Sequence, residues 1–154
     1  MKRILTLLGA LVIGSSVAAQ EFHGGLSLDY AKPHSGDSQT SVTFVGGVML
    51  GGPVFKYGIE AEVGLPLGGD TDYDVARLRL LGSYDLGNYT VLAGAGVAEY
   101  DTPGGTVDGD SLSLGLQRPI SDRVTLRAEF VRDFMDDGVP DTTTTRVGMV
   151  YNFY

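Results

Sequence analysis

Residues 55–65 read Phe-Lys-Tyr-Gly-Ile-Glu-Ala-Glu-Val-Gly-Leu, so Phe, Tyr, Ile, Ala, Val and Leu alternate with Lys, Gly and two Glu. Side chains of a strand point alternately to opposite faces, which makes this segment an apolar ribbon backed by a charged one. Seven further stretches share the period of two. In a soluble barrel the apolar faces would turn inward. Here the opposite faces carry more charge than small loops can hydrate, and no helical segment is available to cover the apolar side. The arrangement expected is inside out: a sheet rolled shut, apolar toward lipid and charged in the middle.

The eight expected strands cover residues 22–32, 40–50, 55–65, 75–86, 89–100, 111–118, 124–134 and 142–154. Most have the roughly 9–11 residues that a tilted strand needs to cross a hydrocarbon layer. Residues 111–118 are short, and Gly94-Ala95-Gly96 blurs the two faces of the fifth strand, where Tyr89, Val91, Ala93, Ala95 and Val97 are taken as outward. The fold class is therefore all-β, an eight-stranded antiparallel transmembrane β-barrel.

Connections support this order. Those at Gly52-Pro53, Gly87-Asn88 and 119–123 are short, whereas those at 33–39, 66–74, 101–110 and 135–141 are longer. With the N-terminus periplasmic, short turns fall on the periplasmic side and long loops outside, as transmembrane barrels require. Gly and Asn tolerate the positive φ of a two-residue hairpin turn, and a turn at Gly87-Asn88 sets outward Leu86 against outward Tyr89.

The same registers pair the inward charges. Folding the third strand on the fourth puts Glu62 opposite Arg77 and Glu60 opposite Arg79, and folding the seventh on the eighth puts Glu129 opposite Arg146, with Phe130 meeting Thr145 outside. An Arg on the lipid face near midplane would cost roughly 2–4 kcal/mol. The expectation is a lumen filled by hydrogen-bonded ion pairs, with a proton or ion path through them as the functional alternative. Eight strands enclose a space just wide enough for side chains, which argues against an open aqueous pore.

Residues 1–19 have the organisation of a secretory signal peptide: basic Met1-Lys2-Arg3, an apolar stretch over 4–13, and small Val17-Ala18-Ala19 before Gln20. About 14 residues fall short of the roughly 20 that a membrane-spanning helix needs. Residues 20–154 form one barrel domain. A formal net charge of -8 excludes a basic surface for nucleic acid. The chain has no Cys, which removes thiol nucleophiles, disulfides and zinc-thiolate sites.

The leader, the eight strands, the segment Val-Thr-Leu-Arg-Ala-Glu-Phe at 124–130 after Ser121-Asp122-Arg123, and the ending Val-Gly-Met-Val-Tyr-Asn-Phe at 147–153 resemble small bacterial outer-membrane barrels of the OmpA/OmpX type. The resemblance covers residues 20–154 and implies the cell outer membrane, a cleaved leader and a last strand read by the barrel assembly machinery through Val147, Met149, Tyr151 and Phe153. Tyr154 after Phe153 departs from that pattern. No peptidoglycan-binding domain follows the barrel, so wall tethering is not implied. Partners expected are outer-membrane lipid and lipopolysaccharide, with a monomeric chain and no cofactor. Aromatic residues at two levels fit interfacial girdles: Phe22, Phe55, Tyr84, Tyr89 and Phe153 below, Tyr30 and Phe134 above.

Chemistry is sparser. The connections are rich in Asp, which hydrates exposed turns or recruits divalent cations. Asp70, Asp72 and Asp74 follow the start of an EF-hand loop, but Val75 holds the Gly place and Leu81 the bidentate Glu place. His34-Ser35 with Asp37 offers the residue types of an acyl-transfer site, without the motifs of lipid A-modifying barrels, so no enzyme is expected. The function expected is structural or envelope-maintaining, the alternatives being a narrow channel for ions or small solutes and a surface adhesin or cation-binding barrel.

Overall fold

The computed structural model describes residues 20–69, 73–136 and 138–153. The expected leader, Asp70, Asp72 and Tyr154 lie outside the described residues. The strands are β1 (Gln20–Pro33), β2 (Gln39–Gly51), β3 (Phe55–Gly69), β4 (Asp74–Asp85), β5 (Thr90–Thr102), β6 (Gly105–Pro119), β7 (Val124–Met135) and β8 (Thr142–Phe153). Each pairs antiparallel with the next, and β1 closes on β8 with Phe22 opposite Phe153 and Leu28 opposite Val147. The sheet closes on itself, so across the body of the barrel every described strand has a neighbour on both sides, which is the condition for a sheet to sit in hydrocarbon.

Registers follow the side-chain pattern. Glu62 faces Arg77 and Glu60 faces Arg79 across β3 and β4; Glu129 faces Arg146 and Phe130 faces Thr145 across β7 and β8. At the β4–β5 hairpin the Leu86 amide donates to the Tyr89 carbonyl at 2.8 Å, and Gly87 takes φ +91°.

Two expected loops are strand instead. β6 begins at Gly105 rather than at residue 111, because residues 105–110 continue to pair with β5 up to Thr102 opposite Gly105, where a φ of +123° at Gly105 makes the turn tight. β3 likewise runs on to Gly69. Strands of 12–15 residues exceed the hydrocarbon crossing, so these hairpins project past it at one end of the barrel. That long-hairpin end contrasts with a short-turn end closed by residues 52–54, 86–89 and 120–123.

The polarity is inverted relative to a soluble protein. Among the largest fully buried side chains only Leu92 and Val131 are apolar; the others include Arg79, Arg146, Glu60, Glu129, Asp133 and Gln39. Meanwhile Leu80, Leu114 and Phe130 are 63 %, 62 % and 64 % exposed. Apolar surface on this scale needs a non-aqueous environment. Leu78 shares the outward face but is 8 % exposed, lying between Ala61 and Val97.

Candidate functional site in the barrel lumen

The lumen is stratified along the barrel axis. Toward the long-hairpin end, buried Val75, Ala98 and Tyr100 with Tyr73 and Met135 form a small apolar plug. Below it lies a belt of charge. Arg77 donates from Nε and Nη2 to Asp133, at 3.1 and 2.7 Å to Oδ2, and from Nη2 to the Tyr100 hydroxyl at 2.9 Å. The Tyr100 hydroxyl itself donates to Asp133.

In the next layer Arg79 donates from Nη1 to Glu129 Oε1 at 2.7 Å and from Nη2 to Glu60 Oε1 at 2.8 Å, and it also pairs with Glu62. Arg146 bridges Glu62 and Asp29, both at 2.7 Å, and Asp29 accepts from Ser27 and Thr43 as well. In the lowest layer Glu60 accepts from Arg127 Nη1 at 2.7 Å, while His23 Nε2 stands 2.8 Å from Glu60 Oε2. An amide oxygen of Gln117 oriented toward Arg127 accepts from its Nε and Nη2 at 2.8 and 2.9 Å.

The structure brings all six sequence-identified lumen residues together: the register pair Glu60–Arg79 meets at 2.8 Å, and the other two register pairs are looser. Arg77 lies 3.6 Å from Glu62, and Arg146 lies 3.7 Å from Glu129. Their shorter partners, Asp133 for Arg77 and Asp29 and Glu62 for Arg146, include residues across the lumen. Arg146 meets its register neighbour Asp29 on β1 at 2.7 Å and also reaches Glu62 across the lumen, while Arg77 reaches across to Asp133. Arg77 and Arg79 thereby tie β4 to β7, and Arg127 and Arg146 tie β7 and β8 to β3.

Sequence reasoning missed Asp133, Arg127, Asp29, His23 and Tyr100 as partners in this network. Each has inward parity on its strand, and that signal was available. Five carboxylates, Asp29, Glu60, Glu62, Glu129 and Asp133, meet four guanidinium groups, Arg77, Arg79, Arg127 and Arg146, with His23 as the remaining basic group. Removing the charge of either partner in such a buried pair leaves the other uncompensated.

Below the network a vestibule of about 230 Å³ opens at the short-turn end. Its walls include His23, Lys56, Ser83, Gln117, Arg127 and Asn152. Lys56 pairs there with Glu21 at 2.6 Å. Water therefore reaches the His23–Glu60 layer from one side, while the charge belt and the apolar plug stand between it and the other.

The remaining candidates are peripheral. Asp74 is exposed at the start of β4, and no group of three or more His, Cys, Asp or Glu with metal-binding geometry occurs among the described residues. His34, Ser35 and Asp37 are exposed, and His34 is held through its backbone amide to the Asp141 carbonyl at 2.8 Å. Arg132 and the Met135 amide both donate to the Asp141 carboxylate, and together they hold its pKa below the ordinary 3.8. Val147, Met149, Tyr151 and Phe153 line one outward face of β8, each between 38 % and 53 % exposed.

Solved structures share this architecture. Neisserial surface protein A superposes with a TM-score of 0.62 at 13 % identity, covering 90 % of this chain and all of that one. Ail, the attachment invasion locus protein of Yersinia pestis, gives 0.57 at 14 % identity, with 90 % of this chain and 100 % of that chain covered. The N-terminal β-barrel domain of Pseudomonas aeruginosa OprF gives 0.62 at 8 %, covering 85 % and 97 %. At such identities the likeness is one of fold, that of the small transmembrane β-barrels of outer membranes. No protein-family model matches the sequence, and the curated proteins contain no similar sequence at a significant level.

Proposed function

We propose that this chain is an integral protein of a Gram-negative outer membrane with a structural, envelope-maintaining role, and that its lumen conducts nothing. The observation that carries the reading is the filled interior: Arg79 and Arg146 are 0 % and 2 % exposed and reach carboxylates on several strands, so their side chains occupy the middle of the lumen. The short-turn end faces the periplasm and the long hairpins face outward. The chain works as a monomer, surrounded by phospholipid and lipopolysaccharide, after a leader over residues 1–19 has been removed and the assembly machinery has read Val147, Met149, Tyr151 and Phe153. It carries no catalytic site, and it needs no cofactor.

The test combines planar-bilayer recording of refolded protein with the detergent sensitivity of a deletion strain. A silent barrel and a sensitised strain support the reading; steady conductance from the unaltered barrel overturns it. One observation favours a second reading, a narrow ion channel: the vestibule already opens the short-turn end of the lumen, so the charge belt and the plug remain to be crossed. Cation binding or adhesion by the projecting hairpins would rest on their exposed acids alone, and we rank both below the channel.

A further inference from the structure

The ladder between β3 and β4 ends at Gly64 opposite Val75, and Tyr73 lies beyond it, just before β4 begins. Both backbone groups of Tyr73 are taken instead by the side chain of Gln39 on β2. The Gln39 amide nitrogen donates to the Tyr73 carbonyl at 2.8 Å, and the amide oxygen accepts from the Tyr73 N–H at 3.1 Å. Gln39 is 1 % exposed and shares the inward parity of Ser41 and Thr43. The Tyr73 ring packs on Tyr100, with 5.2 Å between centroids, and against the plug of Val75 and Ala98. Beneath it the Tyr100 hydroxyl meets Arg77 and Asp133, the first layer of the charge belt.

A primary amide presents a donor and an acceptor together, so Gln39 reproduces the bonds that a neighbouring strand would make to Tyr73. Ladder bonds are held by two backbones along their length, whereas this pair hangs on one side chain that can leave by rotating about its own torsions. The Tyr73 hydroxyl is buried without a hydrogen-bonding partner among the described residues, and water would satisfy it if the ring swung out. We propose that Tyr73 is a stopper seated in the long-hairpin mouth of the lumen and latched by the Gln39 amide, and that its release admits water and small solutes to the Tyr100–Arg77–Asp133 layer. This deepens the closed-lumen reading above and rests on it: the closure at the long-hairpin end opens, while the Arg79 and Arg146 layer stays in place.

The chain has no Cys, so single introduced cysteines report access in the detergent-folded barrel. Ala98→Cys puts a thiol in the plug, at a position 2 % exposed, and Ser83→Cys puts one on the vestibule wall. With Gln39 intact, a charged methanethiosulfonate reagent modifies S83C and reacts slowly with A98C. Q39L keeps the bulk and removes both latch bonds; it speeds A98C about tenfold or more, the size expected for losing two hydrogen bonds, and leaves the S83C rate unchanged. Tyr73→Ala removes the stopper itself and gives the same acceleration, and it decides the matter if heat-modifiable gel mobility shows Q39L unfolded. In hydrogen exchange the Tyr73 amide loses protection in Q39L, while the Leu86 amide, bonded to the Tyr89 carbonyl at the short-turn end, keeps it. Three results overturn the proposal: A98C as reactive as S83C with Gln39 intact, A98C unmoved by both substitutions, or protection lost at Leu86 together with Tyr73, which marks a general loosening. Steady conductance through the unaltered barrel overturns the closed-lumen reading instead, so the two failures are distinguishable.

Discussion

His23 Nε2 lies 2.8 Å from Glu60 Oε2 although their strands are not neighbours: β2 runs between them, and Gly47, in register with both, leaves the space that the imidazole crosses. A Cβ at residue 47 would collide with the Ile59 carbonyl oxygen and stand 2.8 and 2.9 Å from His23 Cε1 and Nε2. Gly47→Ala is therefore expected to push the β3 backbone and displace the ring, destabilising the barrel by about 1–3 kcal/mol. Gly46→Ala, one residue along and facing outward with nothing within 4 Å, is the matched control and is expected to be neutral. Urea unfolding in lipid vesicles measures both.

Glu60 is the residue on which His23, Arg79 and Arg127 converge. Glu60→Gln keeps the shape but takes from buried Arg127 the carboxylate it pairs with, and a loss of about 3–5 kcal/mol is expected. A smaller effect in the same unfolding assay would mean that the neighbouring carboxylates redistribute to compensate.

Arg79 is fully buried in the lumen, touching Glu60, Glu62 and Glu129. Arg79→Ala removes that obstruction and leaves acids lining the gap. The unaltered barrel is expected to be silent in single-channel recording and the variant to show cation-selective openings.

At the long-hairpin end Arg132 and the Met135 amide hold the Asp141 carboxyl below its ordinary 3.8. A carboxyl depressed by folding contributes stability above its unfolded pKa and loses it as pH falls through the folded one. The Met135 amide, which donates to Asp141 Oδ1 at 3.2 Å, is expected to stay protected from hydrogen exchange at neutral pH and to lose protection in a window beginning near pH 4 and extending below it. Asp141→Asn should show the low-pH behaviour throughout.

Much of the fold was legible because a period of two has only one free choice, which face is wet, and the positions of Glu60, Glu62, Arg77 and Arg79 made that choice. The registers followed from the same residues. Strand ends were less legible: residues 105–110 contain three polar positions and two Gly, which read as a loop in sequence, yet their backbone finds partners on β5 above the membrane, where side-chain polarity is no obstacle. The lumen network was half visible. Pairing by register reports neighbours, whereas Asp133 meets Arg77 across the barrel, and strands β4 and β7 have no sequence relation that would reveal it.

The central claim is that the leucine-rich face meets lipid while the arginines face inward. Spin labels at Leu80, Leu114 and Phe130 in reconstituted protein, read for collisions with oxygen against a water-soluble nickel chelate, test it most directly. Oxygen-dominated collisions at all three sites are expected, with a label at Asn152, on the vestibule wall, reporting the chelate. Chelate access at Leu80, Leu114 and Phe130 would contradict the account.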